Sequence, residues 1–94
     1  MRAKIRLVTT VGCEACKIMR GILSDIIDSD GFEKIDFEEI PFNETTDSFI
    51  KQNKITDFPT ICFIKDEIVV DKLIGTTTHN NLKNKIKSVY GLNP

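Results

Sequence analysis

Residues 11–17 read Val-Gly-Cys-Glu-Ala-Cys-Lys, with Cys13 and Cys16 two residues apart. The pair stands between an apolar, β-branched run, Ile5 to Val8, and a run of helical spacing from Ile18 to Ile27. A Cys-x-x-Cys at a strand-to-helix junction brings two thiols within one helical turn of each other. The first thiol falls where unpaired backbone N–H groups favour a thiolate. That arrangement suits dithiol–disulfide chemistry. Taken alone it also suits zinc ribbons and soft-metal carriers, so the remaining residues decide.

The flanking patterns extend into a complete set of elements. A first strand is predicted over Ala3 to Thr9, and Thr10 to Gly12 make the turn. A helix follows from Cys13 or Glu14 to Asp28. Its apolar positions, Ile18, Met19, Ile22, Leu23, Ile26 and Ile27, form one stripe. Gly31 is the expected left-handed cap. A second strand is expected from Lys34 to Ile40, closed by Pro41. A second helix should run from Asn43 to Asn53, with Phe49 and Ile50 buried. Thr60 to Ile64 is almost continuously apolar, as in a strand covered on both faces, and Pro59 can stand only at its start. Lys65-Asp66-Glu67 turns the chain into a return strand, Ile68 to Ile74, which Gly75 ends. Thr78 then caps a last helix from His79 to Tyr90, with Leu82, Ile86, Val89 and Tyr90 on one face. Gly91 and Pro94 close the chain. The order is βαβαββα. The first βαβ implies parallel strands, and the final hairpin makes the four-stranded sheet mixed, with helices free to cover both faces.

Composition excludes several functions. The 94 residues carry 13 basic and 14 acidic side chains, a net charge of −1, which leaves no electrostatic footprint for nucleic acid or an anionic membrane. The acids of the middle segment (Asp36, Glu38, Glu39, Glu44, Asp47) and the lysines of the last helix (Lys83, Lys85, Lys87) read as solvated faces. No apolar run approaches the length of a membrane span, and no signal-peptide pattern is expected at the N-terminus. Three cysteines fit a secreted disulfide framework poorly, so the expected compartment is the reducing cytoplasm. Cys62, inside the apolar run, reads as core. Cys13, Cys16, Cys62 and His79 could in sum make a Cys3His zinc set, but their spacing matches no compact zinc module, and His79 reads as a surface residue at a helix start.

A Cys-x-x-Cys after the first strand, Pro59-Thr60 opening the third, and Gly75 after the fourth, in this element order, resemble the thioredoxin family over essentially the whole chain. The stretch Ile55-Thr56-Asp57-Phe58-Pro59-Thr60, followed by Phe63-Ile64-Lys65-Asp66-Glu67, is similar to the family's segment around its cis-proline. The resemblance implies a single thioredoxin-like domain over residues 1–94. It implies a thiol–disulfide oxidoreductase in which Cys13 attacks and Cys16 resolves. A redox-active Cys13–Cys16 disulfide would then serve in place of a bound cofactor. Pro59 would be cis beside Cys13, and Phe58, Pro59 and Thr60 would line the substrate groove. Glu14 should disfavour the Cys13 thiolate and Lys17 should favour it. The implied partners are protein disulfides, with glutathione or a reductase as electron donor, acting on a monomer.

The chain departs from the family's subgroups in identifiable places. It starts directly at the strand before the cysteines, as compact glutaredoxins do, yet Phe58-Pro59-Thr60 is closer to the thioredoxin Ile-Pro-Thr. Thr76-Thr77-Thr78 follows Gly75 where glutaredoxins carry the Gly-x-Asp-type loop that holds glutathione. Gly12 stands where thioredoxins have a tryptophan, Leu7 where they bury an acid, and Glu14-Ala15 matches neither subgroup's usual dipeptide. Two other readings compete: a metallochaperone-like module holding a soft metal through Cys13 and Cys16, and a non-catalytic thioredoxin-fold adaptor. Metal carriers of the heavy-metal-associated type place a hairpin directly after the first helix, whereas here a helix-like segment and Phe58-Pro59-Thr60 intervene.

Overall fold

A computed structural model describes residues 2–92. The chain runs β1 (Ala3–Thr9), α1 (Glu14–Ile27), β2 (Ile35–Pro41), α2 (Asp47–Gln52), β3 (Thr60–Lys65), β4 (Ile68–Ile74) and α3 (His79–Tyr90). The strands form one sheet in the order β2-β1-β3-β4. β1 pairs parallel with β2, and the other two pairings are antiparallel. This is the expected mixed sheet, with β1 and β3 at its centre.

Strand periodicity sorts the core into two layers. Ala3, Ile5 and Leu7 of β1 and Ile61 and Phe63 of β3 face Met19, Leu23 and Ile26 of α1 and Leu82, Ile86 and Tyr90 of α3. Val8, Cys62 and Ile64 point the other way, to Ile55 and the half-buried Phe49 and Ile50. Burying apolar side chains on both faces explains why β3 reads as a near-continuous apolar run. Thr78 caps α3 by accepting from the Asn81 N–H at 3.1 Å, and Gly91 ends it in the left-handed region at φ 66°. Pro94 lies outside the described residues.

Four local expectations are corrected. Ile18 is not in the core but 56% exposed, because the sheet accepts only the Met19–Leu23–Ile26 edge of the broad stripe. α1 stops at Ile27 with Asp28 as its cap, and Ser29 donates both its N–H and its hydroxyl to the Ile26 carbonyl, so Gly31 bends the chain beyond the helix instead of capping it. The single helix expected over 43–53 is two pieces. A 3-10 turn at Phe42–Glu44 is followed by extended Thr45 and Thr46, and Thr46 Oγ1 then caps α2 by accepting from the Phe49 N–H at 3.3 Å. The second and third strands each run one residue further than expected, to Pro41 and Lys65, leaving Asp66 and Glu67, both at positive φ, as the hairpin turn.

Candidate functional site

The register brings the site together at one end of the sheet. Thr9 stands beside Pro41, Val8 beside Thr60, and Thr60 beside Ile74. The end of β1, the end of β2, the start of β3 and the end of β4 therefore share a level. The Thr10–Gly12 loop rises from this end and delivers Cys13 to the start of α1. Gly12 has φ 73°, a left-handed turn that glycine makes without a steric penalty.

Cys13 is the N-cap of α1. Its backbone is extended, and its Sγ accepts from the Cys16 N–H at 3.1 Å. Its carbonyl accepts the first intrahelical bond from the Lys17 N–H at 3.4 Å. An N-cap is ordinarily an oxygen side chain that satisfies one of the free N–H groups of the first turn. Here a sulfur does so, which points it along the positive end of the helix dipole. Cys16 lies one turn in, with Cα–Cα 5.2 Å, and the two sulfurs are at disulfide-bonding distance. Cys13 is partly exposed, whereas Cys16 is buried at 1% exposure. The outer sulfur is thus open to a large reactant and the inner one is open mainly to its neighbour.

The other residues singled out by sequence occupy distinct positions. Glu14 and Lys17 are exposed on the first turn and bond to each other at 3.2 Å. The Phe58–Pro59 peptide bond is cis. Pro59 and Thr60 are fully buried, so their side chains do not line an open groove. The Thr60 hydroxyl donates to the Asp57 carbonyl at 2.6 Å, and the Pro59 carbonyl accepts from the Gly75 N–H at 2.9 Å, which tie this loop to the end of β4. Phe58 remains partly exposed just outside the ladder. Phe42 was not singled out by sequence. Its ring is 43% exposed and packs edge-on to Phe58, centroids 5.3 Å apart. Only its closeness to Pro41 could have suggested a place at this end of the sheet.

Cys62 is kept apart from the pair. It lies on the α2 face of the sheet, whereas Cys16 belongs to the α1 side. Burial pushes its thiol up to about 11, against smaller opposing effects from Arg6 and Lys72. Those two residues are its cross-strand partners, and the Arg6 guanidinium lies over the Phe49 ring at 4.5 Å. His79 bonds Asp25 of α1 at 2.8 Å instead of approaching a cysteine. Among the described residues, no three His, Cys, Asp or Glu side chains are gathered as a metal site. Leu7 is fully buried in the layer shared with α1.

A mixed four-stranded sheet with a Cys-x-x-Cys at the N-terminus of the helix after β1 defines a thioredoxin-fold redox protein. The family model for thioredoxin matches residues 7–88, and the chain belongs to the thioredoxin family. Solved structures agree at the level of fold. The thioredoxin Mala s 13 of Malassezia sympodialis superposes with a TM-score of 0.77 at 20% identity, over 93% of this chain and 74% of that one. Mitochondrial thioredoxin 3 of Saccharomyces cerevisiae, in its oxidised form, gives 0.75 at 23% identity, over 93% and 78%. Trxlp of Edwardsiella tarda gives 0.77 at 16% identity, over 90% and 82%. None of the curated proteins compared with the chain matches its sequence. Family and cysteine pair together support thiol–disulfide oxidoreductase activity in general terms.

Proposed function

We propose that the chain reduces or exchanges protein disulfides through a two-step cycle at Cys13 and Cys16. The observation that carries this reading is the asymmetry of the pair: a partly exposed sulfur capping α1 and a buried sulfur one turn behind it. In the reduced form, the Cys13 thiolate attacks one sulfur of the substrate disulfide. The substrate S–S bond breaks, a mixed disulfide forms, and the first substrate thiolate leaves and is protonated by water. Cys16 then gives up its proton and attacks the Cys13 sulfur. The second substrate thiol is released and the Cys13–Cys16 disulfide remains. Two electrons have passed to the substrate. Glutathione or a reductase restores the dithiol, with no bound cofactor.

The surroundings shape this cycle. Leu7 lies in the apolar layer and offers no acid to take the Cys16 proton. Glu14 and Lys17 pair with each other on the exposed first turn beside Cys13. Phe58 offers its ring and backbone to a bound substrate segment, while Pro59 and Thr60 shape the loop from within. The Thr78 hydroxyl is committed to capping α3. The setting is a monomeric, single-domain protein in the cytoplasm.

Trapping tests the order of attack. Cys16→Ser, reduced and mixed with an oxidised protein substrate, should accumulate a covalent mixed disulfide at Cys13, readable by non-reducing mass mapping. Cys13→Ser should accumulate none. Adducts formed through Cys16 in Cys13→Ser, at the rate seen for the reciprocal variant, would refute the assignment.

A further inference from the structure

Three large apolar side chains stand open to solvent around the cysteine end of the sheet: Val11 at 92%, Ile74 at 51% and Phe42 at 43% exposure. Val11 sits on the loop that carries Cys13, and Ile74 pairs with Thr60. Phe42 differs from both because it is a ring held in a fixed place. It follows Pro41, whose partner in the ladder is Thr9. The turn behind it is closed twice, by the Thr45 N–H donating to the Phe42 carbonyl at 3.2 Å and by the Thr45 hydroxyl donating to the Pro41 carbonyl at 3.1 Å.

Phe42 and Phe58 reach each other across the end of β1. They stem from strands on either side of it, roughly 10 Å apart in the sheet. Their planes meet at 67°. Phe58 also packs on the layer containing Val8, so the pair is anchored below and open above. A pre-positioned aromatic surface has little side-chain freedom left to lose when covered, which favours contact with a partner. The charged residues at the start of α1 add little steering, since Glu14 and Lys17 are paired.

We propose that Phe42 sets substrate preference: with Phe58 it forms an aromatic shelf at the same end of the sheet as the cysteine pair. The shelf receives a bulky apolar or aromatic side chain flanking the attacked cysteine of a protein disulfide. This rests on the oxidoreductase reading above and adds the kind of segment that the site selects.

The test uses the full chain with dithiothreitol as electron donor and three substrates. Two are peptides with the same intramolecular disulfide, one flanked by Phe and one by Ser. The third is bis(2-hydroxyethyl) disulfide, too small to reach the shelf. The wild type should prefer the Phe peptide. Phe42→Ala should lower kcat/KM for that peptide roughly tenfold, the scale of a central interface aromatic. It should leave the Ser peptide and the small disulfide unchanged, and Phe42→Tyr should retain the preference. If Phe42→Ala does not fold, Phe42→Leu, which keeps apolar volume without a ring, carries the same comparison. An equal loss on all three substrates, or an undiminished preference for the Phe peptide, overturns the shelf while the redox reading stands. A wild type that reduces none of the three overturns both.

Discussion

Tyr90 ties the two ends of the chain together. Its hydroxyl donates to the Lys4 carbonyl at 2.6 Å and accepts from the Ile64 N–H at 3.0 Å. Lys4 and Ile64 are register partners in the central β1–β3 ladder, so one phenol bridges both strands from the last turn of α3. Tyr90→Phe keeps the ring but strands a buried N–H and a carbonyl. The expected cost is about 1–3 kcal/mol, measured as a lower urea midpoint at an unchanged m-value. An unchanged midpoint would mean that the strands close the gap with their own hydrogen bonds. Sequence marks Tyr90 as a core residue of the last helix through its spacing from Leu82 and Ile86. It gives no sign of the hydroxyl's role, because the partners lie 86 and 26 residues away. The cysteine pair was legible at this scale because its chemistry needs only local spacing. Phe42 was not, since its meaning comes from Phe58 across the sheet.

At the scale of elements, α1 carries the site and has one evident weak point. Gly21 lies in the middle of the helix, exposed, and a Cβ placed there would meet nothing within 4 Å. Gly21→Ala should therefore stabilise the protein by about 0.5–1 kcal/mol through reduced backbone entropy and better helix propensity. Thermal or urea unfolding reads this directly, with the thiol chemistry of Cys13 unaltered. A destabilised variant would overturn the reading of Gly21 as an open helix position. The elements themselves were largely readable, because the strand and helix periods of β1, α1, β3 and α3 are strong. The segment 43–53 was not. Asn43 and Glu44 look like a helix start, but Thr46 with Asp47 behind it is the better cap, and the two β-branched threonines hold an extended break. The same competition between two cap signals misplaced Gly31: Ser29 satisfies the Ile26 carbonyl before the chain reaches the glycine.

At the scale of the whole molecule, two buried groups fix how the fold responds to alkali. Burial raises the Cys62 thiol from an ordinary value of 9.0 to about 11, and the Tyr90 hydroxyl from 10.0 to about 12. In both cases the folded chain holds its proton more tightly than the unfolded chain. The stabilisation is complete below pH 9 and is lost as pH rises through 12, because the unfolded chain ionises first. Stability should fall steadily across that window. Cys62→Ala should flatten the lower part of the decline and Tyr90→Phe the upper part, both read from urea midpoints against pH. A decline of the same slope in both variants would assign it to other groups. The layering of the molecule places Cys62 on the sheet face away from Cys16, which separates a structural thiol from the pair at the helix start.

A redox titration of the purified, metal-analysed protein, with thiols counted by alkylation and assigned by mass mapping, tests the Cys13–Cys16 cycle most directly. One reversible two-electron couple is expected, confined to Cys13 and Cys16 and falling within the roughly −270 to −180 mV spanned by thioredoxins, glutaredoxins and disulfide isomerases. Cys62 should remain a protected thiol throughout. A pair that stays reduced while a zinc or copper ion copurifies in stoichiometric amount would contradict the account and make the chain a metal carrier.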